Sequence, residues 1–147
     1  MPVNLPELIP ASLSPIQGIR LGWAESNIKK TNRKDLLIIE IADGSAVSGV
    51  FTQNRFCAAP VTLCKQHLDA VKNNGVNGIK ALVINTGNAN AGTGEQGMLD
   101  ALTTCEHLAE IMTIPVESIL PFSTGVILEH LPMSKILGLD CQMPLLT

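Results

Sequence analysis

Leu82-Val-Ile-Asn-Thr-Gly-Asn-Ala-Asn-Ala-Gly-Thr-Gly-Glu-Gln-Gly97 is the stretch around which the chain is organised. The apolar run Ala81 to Ile84 reads as a buried strand. Asn85 to Glu95 then carry almost nothing but Asn, Ala, Gly and Thr. After Gly97 the apolar residues Ala101, Leu102, Cys105, Leu108, Ala109 and Met112 recur at the spacing of an amphipathic helix, which Pro115 ends. The order strand, small-residue loop, helix is the α/β pattern. Small residues let a backbone turn sharply and approach a ligand or another backbone closely.

Gly92-Thr-Gly94-Glu-Gln-Gly97 spells the glycine fingerprint of dinucleotide sites. In such sites the first Gly follows the strand directly, so that pyrophosphate meets the helix N-terminus. Here Asn85 to Ala91 intervene, and the acidic partner is poorly placed, since Glu117 stands at the start of its apolar run. No Lys follows the glycines, which excludes a P-loop.

Outward from this centre, Gly18 to Ala24 alternates weakly and reads as a strand. Lys29-Lys-Thr-Asn-Arg-Lys34 reads as a solvated turn before the next one. Leu36 to Ala42 is apolar nearly throughout, as in a strand buried on both faces. Asp43-Gly-Ser45 is a turn signal, and Ala46 to Thr52 would return, giving a hairpin over residues 36 to 52. Pro60 biases Ala58 to Leu63 toward extended backbone. A short helix follows over residues 65 to 72, stopped by Asn73-Asn-Gly75. Ile119 to Phe122 reads as a short strand running into the small-residue turn Ser123-Thr-Gly-Val-Ile127. Leu131-Pro132 opens a last helix. His107 falls at the edge of its helical stripe and reads as packing or surface.

Residues 1 to 15 hold four prolines and read as an irregular arm. The net charge of −3, the absence of Tyr and a single Trp argue against nucleic acid as partner. No apolar run approaches the roughly 20 residues of a membrane helix, and the N-terminus has no signal-peptide pattern. Cys57, Cys64, Cys105 and Cys141 lack C-x-x-C spacing, and with the three His they form no zinc pattern. Reduced, mostly buried thiols in a cytoplasmic protein are the expectation.

Three segments, in order, resemble one family, the bifunctional ornithine acetyltransferase (glutamate N-acetyltransferase) of arginine biosynthesis. Gly49-Val-Phe-Thr-Gln-Asn-Arg-Phe-Cys-Ala-Ala-Pro-Val61 is similar to its F-T-x-N-x-x-x-A-A-P-V segment. Asn85 to Gly94 looks like its N-S/T-G-N-A-N-A-x-T-G loop. Ser123-Thr-Gly-Val-Ile127 with Leu131-Pro-Met133 resembles S-T-G-V-I-G-x-x-L-P-M. Gly18-Ile-Arg and Arg33-Lys-Asp-Leu resemble the opening hairpin, so the likeness runs from about Gly18 to about Lys135. Leu128 departs from the pattern, standing where the family has Gly.

The resemblance implies an α/β fold of layered sheets covered by helices, an αββα-type sandwich of which this chain would be an incomplete portion. Residues 1–147 would be the N-terminal (alpha-chain) part. Family members cut themselves before an internal Thr. That Thr takes acetyl from N-acetylornithine and passes it to glutamate, with its own α-amine as base. Some members also use acetyl-CoA as donor; no other cofactor and no metal is implied. Thr124 and Gly125 match the Thr-Gly pair that holds the oxyanion, through a hydroxyl and a backbone N–H. The segment with the nucleophile lies beyond the last matched residue, and Thr147 cannot replace it. A downstream beta-type chain would have to supply it, in an α2β2-type assembly. The alternative is an inactive remnant or interaction module that keeps only the scaffold.

Overall fold

The computed structural model describes residues 14–73 and 76–138. The body of the N-terminal arm, the stop signal at Asn74 and Gly75, Cys141 and the last nine residues lie outside the described residues.

Four strands form one mixed sheet in the order β1-β2-β3-β4. They are β1 (Ile19–Ala24), β2 (Leu36–Ile41), β3 (Ala81–Asn88) and β4 (Ile119–Val126). The helices are α1 (Ala59–Asn73), α2 (Gly94–Met112) and the single turn α3 (Met133–Ile136), with a 3-10 turn at Val116–Ser118. β2 pairs antiparallel with both β1 and β3, and β3 pairs parallel with β4. A parallel pair needs a crossover, and α2 provides it.

The side chains follow the two-residue period of a pleated strand. Leu36, Ile38, Ala81, Val83 and Ile119 are buried beneath Ala59 and Leu63 of α1 and Ala101, Cys105, Leu108 and Ala109 of α2. The predicted helical stripe is therefore the core face of α2. The alternate residues form a second apolar row across the sheet, Trp23-Leu37-Ile84-Phe122 by register. This row is only partly covered, and Phe122 is 43% exposed. α1 lies along the outer edge of β4. There the His67 ring N–H at Nδ1 donates to the Ile119 carbonyl at 2.6 Å, and Cys64 Sγ donates to the Pro121 carbonyl at 3.2 Å. Pro121 is tolerated because β4 is an edge strand.

Several expectations change. The hairpin over residues 36 to 52 does not form. The turn at Asp43-Gly44 is real, with Ser45 N–H on the Ala42 carbonyl, but residues 45–54 carry no strand. β2 already has a partner on each edge, so a returning strand has nothing to pair with. Nor is Ala58 to Leu63 extended. α1 begins at Ala59 with Pro60 in the first turn, where the missing N–H has no intrahelical partner to lose. α2 begins at Gly94 rather than after Gly97. Ser123-Thr-Gly-Val is not a turn: β4 runs through it to Val126 because Asn85 to Asn88 of β3 offer it a ladder.

Candidate functional site

The parallel pair β3–β4 ends in glycines on both strands. Thr86 faces Thr124 and Gly87 faces Gly125, and the register shifts between Gly87 and Asn88. Gly125 has φ +134°. A Cβ placed on it would lie 2.3 Å from the Gly87 carbonyl carbon and 2.6 Å from the Asn88 nitrogen. Real Cβ atoms do not come so close, so the strands can approach this way only because Gly125 has no side chain. Gly87 (φ +102°) is pressed from the other side, since its Cβ would meet Lys29 Cβ at 2.8 Å.

Thr124 and Gly125 are both exposed, at a cleft of about 370 Å³. Across it stand Lys29, Lys30 and Arg33, with Thr86 and Gly87 between. The site thus sits at the carboxyl ends of parallel strands, where α/β sheets commonly present ligand sites.

The Asn-rich loop is the frame behind this cleft. Ser123 Oγ donates to Asn85 Oδ1 at 2.5 Å, and Asn85 Nδ2 donates to the Asn88 carbonyl at 2.8 Å. The Asn90 N–H donates to Asn88 Oδ1 at 3.0 Å, and Asn88 Nδ2 donates to the His130 carbonyl at 2.9 Å. Asn90 is fully buried with φ +47°. Its Nδ2 donates to the Gly97 carbonyl at 2.8 Å, while its Oδ1 accepts from Thr93 Oγ1 at 2.7 Å. Asn suits each position because one short side chain both donates and accepts. A Cβ at Gly97 would fall 1.9 Å from Thr93 Oγ1, so that glycine serves packing.

The basic turn is held rather than loose. The buried Asp35 carboxylate accepts the N–H groups of Ser26 (2.7 Å) and Ile28 (2.6 Å). The Thr86 N–H donates to the Asp35 carbonyl at 2.8 Å, which ties the turn to β3. Ile28 packs with Leu131 and Ile136. Lys29 pairs with Glu129, and Lys135 Nζ donates to the Asn27 carbonyl at 2.7 Å. Leu128, the departure from the family pattern, has φ +62°, a region that favours glycine. Its side chain is 70% exposed and covers Gly92, where a Cβ would meet Leu128 Cδ2 at 2.6 Å.

Thr124 and Gly125 were expected from sequence, and both line the cleft. Asp35 and the cations of the turn were not expected there. The signal available was Arg33-Lys-Asp-Leu, which was read only as part of a hairpin. Burial pushes the Cys105 thiol up to about 12, with Cys64 and Glu106 nearby adding to the rise, and burial raises Cys64 to about 11. Neither lines the cleft. Among the described residues no cluster of His, Cys, Asp and Glu could hold a metal ion, and no helix is long and apolar enough to cross a membrane.

Comparison with known proteins gives consistent results. The family model described as ArgJ family matches residues 20–141. The arginine biosynthesis bifunctional protein ArgJ of Colwellia psychrerythraea strain 34H is 85% identical across 94% of this chain. The chain spans about a third (34%) of that protein's length. The crystal structure of the ArgJ bifunctional protein from Bacillus halodurans superposes with TM-score 0.73 at 33% identity, covering 83% of this chain and 61% of that one. The ornithine acetyltransferase of Mycobacterium tuberculosis, solved with ornithine, superposes with TM-score 0.75 at 31% identity, covering 83% and 63%.

Proposed function

Because the chain belongs to the ArgJ family, we propose that it is the N-terminal portion of an acyltransferase that moves acetyl from N-acetylornithine to glutamate. In this reading it carries the oxyanion half-site, and a downstream chain supplies the nucleophilic Thr. The observation that carries the reading is the pairing of an exposed hydroxyl, Thr124, with an adjacent glycine, Gly125, at a cleft whose backbone tolerates no side chain there.

The chemistry follows. The nucleophile's hydroxyl attacks the acetyl carbonyl and passes its proton to its own α-amine. The carbonyl oxygen becomes an oxyanion. The Thr124 O–H and the Gly125 N–H donate to it, and a fixed backbone donor costs no reorganisation as charge develops. Collapse expels the amine of ornithine, protonated by that same ammonium, and leaves an acetyl ester on the Thr. The amine of glutamate then attacks the ester through a second such intermediate, freeing the hydroxyl. Acetyl-CoA would serve equally as first donor, with its thiol leaving. Partner subunits in an α2β2 assembly and a cytoplasmic setting accompany this reading.

The test is acetyl transfer by the purified chain, alone and mixed with a downstream family chain beginning at the expected Thr. Activity should appear only in the mixture. Thr124→Ala should lower kcat by about 10²–10³, and Thr124→Ser should retain most of it. Activity from the chain alone would overturn the division of roles. Silence in both, with a folded chain, would favour a scaffold without catalysis.

A further inference from the structure

We infer that Lys30 and Arg33 form an anion subsite that receives the carboxylate of the N-acyl amino acid whose acetyl group meets Thr124 and Gly125. The inference rests on the acyl-transfer reading and adds a binding role for a turn that composition alone marks as solvated.

Four observations carry it. The turn's cations line the same cleft as Thr124 and Gly125. Its charge there is uncompensated: Lys29 is paired with Glu129 and Lys34 stacks 3.7 Å over the Trp23 ring, whereas Lys30 and Arg33 have no carboxylate partner among the described residues. The one carboxylate lining the cleft, Asp35, is committed to the N–H groups of Ser26 and Ile28. The turn is anchored from several sides, by Asp35, by Ile28 in its apolar cluster and by Lys135 on Asn27. Flexible lysines on a loose loop would lack such an anchor.

The spacing also fits. Lys29 presses on Gly87, and Gly87 presses on Gly125, so a single glycine separates the basic turn from the oxyanion donors. In an Nα-acetyl amino acid the acetyl oxygen and the carboxylate hang from the same short N–Cα link. Standard bond lengths put them roughly 4–5 Å apart. Arg33 can grip a carboxylate with two parallel N–H donors, and Lys30 adds a point charge.

The experiment uses Lys30→Gln with Arg33→Gln, two exposed side chains whose loss leaves the core intact. Binding of N-acetylornithine and of its carboxamide is measured by calorimetry on this chain, and transfer kinetics on the mixture with the downstream chain. The double variant should bind the acid roughly tenfold more weakly, and raise KM by a similar factor, since charge-assisted bonds are lost. Its affinity for the carboxamide should stay within about twofold of wild type, because that ligand has no charge to lose. Equal weakening of acid and amide would overturn the inference, as expected if these cations instead pair with carboxylates of another chain. A loss confined to acetyl-CoA would also overturn it, assigning the cations to phosphates. If wild type transfers no acetyl group, the acyl-transfer reading fails, while the acid-versus-amide binding ratio still decides the subsite.

Discussion

Adding one methyl group at Gly125 tests whether the β3–β4 ends are as close as described. In Gly125→Ala the new Cβ would lie 2.3 Å from the Gly87 carbonyl carbon and 2.7 Å from its oxygen. Ordinary carbon contacts lie at about 3.5–4.0 Å, so the strands must part by more than about 1 Å. Both atoms met are backbone in the sheet ladder, so no side chain can swing aside. Forcing a methyl group into such packing costs about 1–3 kcal/mol. A φ of +134° in a residue with a side chain adds about 1–3 kcal/mol. Together the expected loss is about 3–5 kcal/mol, a large share of the roughly 5–15 kcal/mol that holds a domain folded. Gly44→Ala is the control. Gly44 has φ +82°, but its Cβ would meet nothing within 4 Å. It should lose only the conformational part, about 1–2 kcal/mol. Urea unfolding followed by Trp23 fluorescence and far-UV circular dichroism gives both values. If Gly125→Ala costs no more than Gly44→Ala, the close approach is wrong and so is the site built on it.

Three further outcomes follow from particular side chains. Asn90→Ala strands the Gly97 carbonyl and the Thr93 hydroxyl and puts Ala at φ +47°; a loss of about 2–4 kcal/mol in urea unfolding is expected. Leu128→Gly relieves a strained φ of +62° on a largely exposed side chain; relief of about 1–2 kcal/mol outweighs the roughly 0.5–1 kcal/mol of added chain entropy. The urea midpoint should therefore not fall, whereas the β-branched Leu128→Val should lower it. Cys64 and Cys105, raised to about 11 and about 12 by burial, stay protonated in the folded chain at pH 8 and resist iodoacetamide, so mass spectrometry of the native chain should find Cys57 alkylated before either. In the unfolded chain these thiols ionise near their model value of 9.0. The folded state thus holds its protons longer, and stability should decline as pH rises from about 9 toward 11–12; a flat profile over that window would contradict the burial of both thiols.

What the sequence determined by itself is local. The apolar run Ala81 to Ile84, the helical stripe from Ala101 to Met112 and the turn at Asp43-Gly44 each declare themselves through neighbours a few residues apart. The motif register also singled out Thr124 and Gly125, which line the cleft. What only the tertiary structure decided depends on partners far along the chain. Ala46 to Thr52 has a strand-like composition, yet β1 and β3 had already taken both edges of β2. Ser123 to Val126 reads as a turn but is drawn into β4 by the ladder along Asn85 to Asn88. The need for glycine at Gly125 comes from Gly87, and the setting of Lys30 and Arg33 comes from Asp35 and from the cleft they face. Local pattern records what each residue can do with its near neighbours. Pairing and close packing depend on which distant backbone arrives, and that is settled only when the sheet assembles.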